Sequence, residues 1–231
     1  MSLCVDYCTY KAAKYAVEHW HYSGSISTGK RTIFGVWEHN RFIGSIVYGQ
    51  GANRHLARNV GLVMTACCEL TRVALREHDY PVTQMIAQTI KRIKQDQPGL
   101  RCIISYADLE QGHEGKIYQA GNWIYLGLVQ QGRDSTPKYR IHGKVVHGRT
   151  LYNRGHKQQI SWLKKHIDPN AEYVWSTGKH KYAYPLDRAM RRQLEKRRKS
   201  YPCEVEINGD LSNDQLEGAG SIPALRSTET P

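Results

Sequence analysis

The sequence predicts one α+β domain of mixed α/β architecture, in which helices flank a central mixed sheet that contains two parallel strands. Residues 32–48 show two alternating apolar runs, which is the pattern of a β-hairpin. Residues 67–107 show a strand, a helix and a second strand, and such a unit places its two strands parallel. A chain of 231 residues suits one domain with extensions better than two full domains.

The first predicted elements are a helix and the hairpin. The stretch YKAAKYAVEHWHY, residues 10–22, has helical spacing and leads into the polar loop SGSISTGK. In the hairpin, strands at residues 32–37 and 42–48 flank the polar tip Glu38-His39-Asn40-Arg41. The N-terminal part is therefore predicted as one helix followed by one antiparallel strand pair.

A strand–helix–strand unit follows. CCELTRVAL, residues 67–75, has the length of a strand, and RCIISYA, residues 101–107, is a short apolar run typical of a strand covered on both faces. Between them, residues 81–95 place apolar side chains near helical spacing, with Pro81 acceptable in the first turn. A right-handed crossover between parallel strands is the expected connection. The adjacent Cys67 and Cys68 should point to opposite faces of the first strand.

The second half is predicted to be basic and aromatic. SYADLEQGHEGKIYQAGNW, residues 105–123, predicts a turn into a helix; WIYLGLVQQG predicts a further strand, and LDRAMRRQLEKRRKS a basic helix. Residues 133–199 contain 18 Lys or Arg against five acids. Residues 203–231 carry six acids and one Arg, a net of −5, so the total of +12 leaves +17 on residues 1–202. This charge fits a polyanionic partner.

These patterns divide the chain into three predicted parts. Residues 1–132 form the core with the candidate active site, residues 133–202 continue the core and add a basic, aromatic-rich extension suited to a polyanion such as DNA, and residues 203–231 form an acidic, flexible tail. No apolar run approaches the roughly 20 residues of a membrane span, and the N-terminus lacks the pattern of a secretion signal. We therefore expect a cytoplasmic protein with no membrane partner. The six cysteines form no CxxC pair, which disfavours a zinc site.

The order of these elements and three motifs resemble the GNAT acyltransferase fold and, within it, the Mom family of phage DNA-modification proteins. The motifs are CELTR at residues 68–72, SYADLEQGHEGKIYQAGNWIYLG at 105–127 and KHKYAYPLDR at 179–188. The resemblance covers roughly residues 15–200. It implies a GNAT-like central mixed sheet with two splayed parallel strands, residues 67–75 and 101–107, flanked by helices, plus a basic C-terminal extension.

The resemblance also implies an activity. It implies a transferase that attaches a carbamoylmethyl-type (acetamido) group to N6 of adenine in double-stranded DNA, in the cytoplasm of the infected bacterial cell, and so protects phage DNA from host restriction. The target adenine would be flipped out of the duplex. The implied donor is acyl-CoA or a related molecule. Because the added group is joined through carbon, the product needs more than acyl transfer, and iron(II) is a candidate helper. The oligomeric state stays open, with a homodimer as one option.

Four residues are candidates for catalysis: Ser105, Asp108, Tyr118 and Glu69. Ser105 and Asp108 end the second splayed strand, at an edge where α/β sheets bind ligands. Asp108 could act as a base, accept a hydrogen bond from adenine or ligate a metal, or it could cap the following turn. Tyr118 matches the tyrosine that the resemblance implies as general acid, against a core tyrosine with a satisfied hydroxyl. Glu69 is costly inside a buried strand unless it is paired or used.

The resemblance places the donor between the splayed strands, where Arg72, Val73, Arg76 and Tyr106 would contact it. Arg72 should lie on the opposite face from Glu69 if the strand is regular. The family's glycine-rich Q/R-x-x-G-x-G/A turn is replaced here by REHDYPVT, which has no glycine and carries two acids of the wrong sign for a phosphate. This departure argues against conventional CoA binding. Arg76 could still reach a phosphate or could be a solvated cation.

The remaining candidates concern metal and DNA. His19, His21 and Asp108 could form a His/carboxylate metal site, with His113 nearby in the motif, although lone surface histidines are the commoner outcome. The candidate DNA contacts are Arg149, Arg154, Lys157, Lys179, Lys181 and Arg188. Two rival functions stay open: a non-catalytic DNA-binding protein on a degenerate GNAT scaffold, and an N-acetyltransferase for a protein or a small amine.

Overall fold

A central mixed sheet organises the computed structural model, which describes residues 2–26, 28–51, 53 and 55–202. The predicted acidic tail, residues 203–231, lies outside the described residues. The elements up to the second parallel strand are β1 (Leu3–Tyr7), α1 (Tyr10–Trp20), β2 (Arg31–Glu38), β3 (Arg41–Gly49), β4 (Cys67–Leu75), α2 (Val82–Asp96) and β5 (Cys102–Asp108). They are followed by α3 (Lys116–Ala120), β6 (Ile124–Val129), β7 (Lys138–Ile141), β8 (Lys144–His147), α4 (Gly148–Asn153), α5 (Ile160–His166), β9 (Glu172–Val174), β10 (Lys179–Pro185) and α6 (Arg188–Glu195).

Most of the predicted elements are confirmed within one or two residues at each end. The helix near the N-terminus, the hairpin β2–β3, the strand β4, the helix α2, the strands β5 and β6 and the basic helix α6 are all present. The strand β1 was not predicted. It pairs with β2 at the edge of the sheet, and Leu3 and Val5 alternate with exposed neighbours. The strand is only five residues long, which makes this alternation a weak signal.

The parallel strands β4 and β5 pair only over Cys67–Glu69 and Cys102–Ile104 and then separate. Where two strands separate, their backbone groups lose ladder partners and need others. Leu70, the first residue after the pairing ends, receives a hydrogen bond to its carbonyl oxygen from Ser105 Oγ, at 3.0 Å. The predicted central mixed sheet with two splayed parallel strands is thus confirmed.

A β-bulge in β4 changes which side chains share a face. Tyr48 of β3 pairs with Leu70 and Val47 pairs with Arg72, so Thr71 is an extra residue on β4. A regular strand would place Glu69 and Arg72 on opposite faces, and that prediction is wrong. The bulge turns both side chains to the same face of the sheet.

Strand β10 lies between β5 and β6 and is antiparallel to both. It contains most of the KHKYAYPLDR motif, so this late segment completes the central sheet. Between β6 and β10 the chain forms a small sheet of order β8-β7-β9. That sheet has its own apolar cluster, made of Tyr139, Ile141, Leu151, Leu163 and Ala171.

The two faces of the central sheet carry separate apolar clusters. On one face α2 packs Met85, Ile90 and Ile93 against the strands. On the other face, Met190 and Leu194 of α6 pack over the strands. Cys68 belongs to the first cluster and Cys67 to the second, which confirms that these neighbours point to opposite faces. None of the helices in the described part of the chain is long and apolar enough to span a membrane.

Candidate active site

A cleft of about 510 Å³ opens where β4 and β5 separate. Its walls come from β4, from β5, from the segment after α1 and from the segment that leads into α3. The sequence-predicted residues that line it are His21, Arg72, Val73, Tyr106, His113 and Tyr118. Ser105, Glu69 and Asp108 stand behind or beside this lining rather than in it.

Tyr118 projects from the short helix α3 into the cleft. Its ring is buried and packs against Trp123 and Tyr182, with ring centroids 5.1 and 5.2 Å away. Its hydroxyl lies 2.8 Å from Ser105 Oγ, which is itself buried. Burial raises the pKa of Tyr118 to about 12, although the Ser105 hydrogen bond opposes that rise. The Tyr118 hydroxyl is therefore fully protonated at neutral pH, and its packing and the Ser105 hydrogen bond hold it in place.

Ser105 connects the tyrosine to the separating strands. Its Oγ hydrogen-bonds both the Leu70 carbonyl oxygen and the Tyr118 hydroxyl. The predicted catalytic role of Ser105 therefore becomes a positioning role, because its hydroxyl reaches the cleft only through Tyr118.

Glu69 lies at the last paired position of β4, next to the point where the gap begins. Partial burial raises the pKa of this carboxyl to about 7, although the nearby cations Arg72, Lys179 and Lys181 lower it. A carboxyl with such a pKa exchanges its proton near neutral pH, which suits a general base or acid. The β-bulge brings Arg72 to the face that carries Glu69, where its charge opposes the rise in pKa.

Asp108 at the end of β5 is already engaged. Its carboxylate pairs with Lys179 Nζ at 2.7 Å and accepts a hydrogen bond from the Glu110 backbone N–H at 3.1 Å. The second contact caps a 3₁₀ turn at Leu109–Gln111. The capping alternative is therefore present in the structure, and Asp108 serves to fix the cleft rim and Lys179.

The two arginines predicted to contact the donor lie in different places. Arg72 lines the cleft and donates hydrogen bonds from Nε to the Ser25 carbonyl at 2.9 Å and from Nη1 to the Thr71 carbonyl at 2.6 Å. It thereby ties the segment after α1 to β4. Arg76 lies outside the cleft lining, with its guanidinium 5.6 Å from the centre of the Trp20 ring.

An aromatic rim closes one side of the cleft. His21 stacks on Tyr22 at 4.4 Å, and Tyr22 meets the edge of His113 at 5.6 Å. Burial, together with Arg72 and His113, lowers the pKa of His21 to about 4, so its ring is neutral. His21 Nδ1 accepts the Ser23 backbone N–H at 3.1 Å, which leaves Nε2 to carry the proton.

The metal candidates do not come together. His19 stacks on Tyr15 and its Nδ1 contacts the Tyr15 carbonyl oxygen at 2.8 Å. Within residues 2–26, 28–51, 53 and 55–202 no three His, Cys, Asp or Glu side chains are placed to hold a metal ion. The candidate donor set therefore does not fit an iron site.

Sequence reasoning missed His78. This residue follows β4 and lines the cleft, and its Nδ1 is buried with no hydrogen-bond partner among the described residues. Its only sequence signal was its position in the REHDYPVT turn.

Gly115 holds the turn that leads into α3. Its φ is +82°, and a Cβ at this position would collide with the Tyr182 ring. We expect Gly115→Ala to lower the free energy of unfolding by about 2–4 kcal/mol, because it adds backbone strain to a steric clash. The matched control is Gly112→Ala, since Gly112 also has positive φ, +67°, but has open space around it. It should lose only about 1 kcal/mol. Urea unfolding checks both values, and equal losses would contradict the expectation.

The six predicted DNA contacts divide into three groups. Arg149, Arg154, Lys157 and Arg188 are exposed on the surface, whereas Lys179 is half-buried in its ion pair with Asp108. Lys181 is different, because only 7% of it is exposed and its ammonium lies near Arg197, Cys102 and Cys67, with Glu69 a weaker neighbour. The prediction that Lys181 contacts a DNA phosphate at the surface is therefore wrong, because a buried ammonium cannot reach a duplex. Burial, with Arg197 nearby, lowers its pKa.

A comparison with curated proteins gives no match. Among solved structures the chain is similar to an aminoglycoside 6'-acetyltransferase type Ii, with 10% identity over 80% of this chain and 97% of that one and a TM-score of 0.45. It is also similar to a Bacillus subtilis acetyltransferase in complex with CoA, with 10% identity over 80% and 100% of the two chains and a TM-score of 0.43. A spermidine N-acetyltransferase from Vibrio cholerae in complex with CoA and spermine has 8% identity over 80% and 95%, with a TM-score of 0.43. The model of the Mom protein family matches residues 2–203. The chain belongs to the Mom protein family.

Proposed function

We propose that this protein is a transferase that modifies adenine in double-stranded DNA, attaching a carbamoylmethyl-type group to N6. Membership of the Mom family supports the DNA substrate. The observation that carries the proposal is the cleft between the splayed strands, which has the Ser105-held hydroxyl of Tyr118 in its wall. Glu69 lies outside the cleft lining, at the last paired position of β4. The donor is proposed to be of the acyl-CoA kind or a relative of it, and it would lie against Val73, Tyr106 and Tyr118.

The two side chains have complementary proton chemistry. The amino nitrogen of adenine is a weak nucleophile because its lone pair is delocalised into the ring, so removal of a proton helps it to react. Glu69 is the proposed acceptor of that proton, since its pKa of about 7 lets it ionise at neutral pH. Tyr118 is the proposed proton donor to the leaving group, since it is protonated throughout the neutral range. These two proton transfers accompany one acyl transfer, in which the bond from N6 to the acyl carbon forms and the bond from that carbon to the leaving group breaks. Conversion of the acyl adduct to the methylene-linked carbamoylmethyl group is a separate step, which these two residues do not supply.

A pair of exposed rings supports the DNA part of the proposal. Tyr173 and Trp175 stack with their centroids 5.1 Å apart and their planes 18° apart, and they are 39% and 42% exposed. They lie in the strongly basic region of residues 133–199. Unpaired bases stack on such rings, while Lys and Arg neutralise the phosphates.

Trp175→Ala is expected to weaken binding to duplex DNA that contains an extruded or unpaired base by about tenfold, because one stacked base contributes about 1–3 kcal/mol. Fluorescence anisotropy with a labelled duplex measures the loss. Tyr10→Ala is the control, since Tyr10 is an exposed ring, 49% accessible, outside the basic region. If both variants bind DNA like the unchanged protein, the Tyr173–Trp175 pair is not a stacking surface.

Mass spectrometry of nucleosides from the DNA of cells that express the protein tests the function itself. We expect a modified adenine whose mass exceeds that of adenine by one carbamoylmethyl group less the hydrogen that it replaces. Unmodified adenine in the presence of well-folded protein would overturn the proposal. A non-catalytic DNA-binding protein would give that result while still binding DNA, and an N-acetyltransferase would consume acetyl-CoA without DNA.

A further inference from the structure

The side chain of Glu38, the last residue of β2, is buried against the turn between β4 and α2. Glu38 is only 5% exposed. Its Oε2 accepts the backbone N–H of Asp79 at 3.0 Å, and its Oε1 accepts the backbone N–H of Tyr80 at 2.9 Å. Although burial opposes it, these two hydrogen bonds hold the pKa of Glu38 below its usual range, with the help of His78 and His39. The carboxylate is therefore a fixed negative charge.

This turn is the one that the family resemblance assigns to the diphosphate of a CoA donor. It adjoins the cleft, because His78 and Val82 line the cleft, and Glu38, His78 and Asp79 line a neighbouring cavity of about 350 Å³. A diphosphate needs backbone N–H groups that point outward at the start of a helix. In the turn before α2, the N–H groups of residues 79 and 80 already bind Glu38, and Pro81 has none to offer. In the first turn of α2 the Gln84 N–H bonds the Pro81 carbonyl oxygen, which leaves the N–H groups of Val82 and Thr83.

Acids outnumber arginines around the turn. Glu77 and Asp79 are exposed acids on it, Glu38 adds a buried one behind it, and Arg41 and Arg76 line the same cavity. Bringing a diphosphate within a few ångströms of an ionised carboxylate is unfavourable, and burial strengthens that repulsion because it weakens solvent screening. The residues present therefore do not fit the diphosphate of CoA at this turn.

We propose that the Glu38 carboxylate occupies the position that a donor diphosphate would take at the β4–α2 turn. The protein then recognises its donor only by the part that lies in the cleft. The donor is an activated ester or thioester on an arm or carrier that has no nucleotide diphosphate at this turn. This inference depends on the proposed function only in that the cleft between β4 and β5 holds the donor.

Calorimetric titration of the full chain with acetyl-CoA and with S-acetylpantetheine tests the inference, because the two ligands share the arm and differ in the nucleotide diphosphate. We expect the two affinities to agree within about threefold, and ADP to displace neither ligand. The inference is overturned if acetyl-CoA binds more than about tenfold tighter than S-acetylpantetheine and ADP displaces it.

A variant without the Glu38 carboxylate tests the same inference from the protein side. Glu38→Ala removes the carboxylate and frees the two N–H groups, so we expect its affinity for ADP to rise by about tenfold or more over that of the unchanged protein. Glu18→Ala is the charge-matched control, because Glu18 is an exposed acid on α1, and it should leave ADP binding unchanged. If Glu38→Ala does not fold, as judged by its thermal unfolding, the comparison of ligands on the unchanged protein still decides. Nucleoside mass spectrometry is independent of these titrations, so failure of the DNA-modification proposal would be seen separately.

Discussion

Glu69→Gln should reduce the rate of adenine modification by about 100- to 10,000-fold, the range that removal of a general base produces. The substitution keeps the size and hydrogen-bonding shape of the side chain and removes its ability to take a proton. The amount of modified adenine formed per minute, measured on duplex DNA by mass spectrometry, gives the effect. Glu18→Gln, at an exposed ion pair with Lys14, should keep the full rate.

The pH dependence separates a base from a structural carboxylate. A base works in its ionised form, so the rate of the unchanged protein should rise with pH through about 7, the pKa of Glu69, and then level off. The residual rate of Glu69→Gln should lack this rise. A variant with the full rate, or with the same rise near pH 7, would show that another group removes the proton.

The contribution of Glu69 to the stability of the folded protein should fall as pH rises, whereas the reaction rate should increase. Because the pKa of Glu69 is raised by folding, the protonated carboxyl favours the folded state, and that contribution is complete below the ordinary pKa of a glutamate and is lost as pH rises through about 7. Glu69→Gln should therefore be more stable than the unchanged protein at pH 8 and nearly equal to it at pH 5. Urea unfolding at the two pH values measures the difference. A residue that only supported the fold would instead lower stability at both.

The residues of this site show which parts of it a sequence can predict. The hairpin, β4, α2 and β5 follow from local apolar patterns, because each has a regular periodicity within a single segment. Tyr118 and Glu69 were predicted as candidates, since one stands in a recognisable motif and the other is a charge inside a strand. The placement of Glu69 and Arg72 on one face of the sheet was not predicted, because a β-bulge inserts one residue without a mark in the composition.

Glu38 was missed for a related reason. Its polar neighbours suggest a solvated hairpin tip, whereas its partners are backbone N–H groups that lie 41 and 42 positions further along the chain. Backbone groups have the same chemistry at every residue except proline, so a sequence does not show which of them will face a given carboxylate. The place of β10 between β5 and β6 is hidden in the same way, because it depends on contacts across the whole second half of the chain.

Tyr118→Phe should lower the rate of adenine modification by about 100-fold or more, because it removes the proposed proton donor and leaves the ring in place. Its stability should change little, since Ser105 Oγ still has the Leu70 carbonyl oxygen as a partner at 3.0 Å. Ser105→Ala is the matched test of the positioning role. It leaves the Leu70 carbonyl without that hydrogen bond, so it should lose about 1–2 kcal/mol of unfolding free energy while its rate falls only about tenfold.

The alkaline side of the pH profile adds a test that depends on the hydroxyl alone. With a pKa of about 12, Tyr118 stays protonated up to pH 10, so the rate should not fall between pH 8 and pH 10 on its account. A fall in that range that disappears in Tyr118→Phe would mean that the tyrosine ionises earlier than its buried position indicates. A full rate in Tyr118→Phe combined with a complete loss in Ser105→Ala would instead make Ser105 the proton donor, because both hydroxyls belong to one hydrogen-bonded pair and only one of them needs to face the reacting atoms.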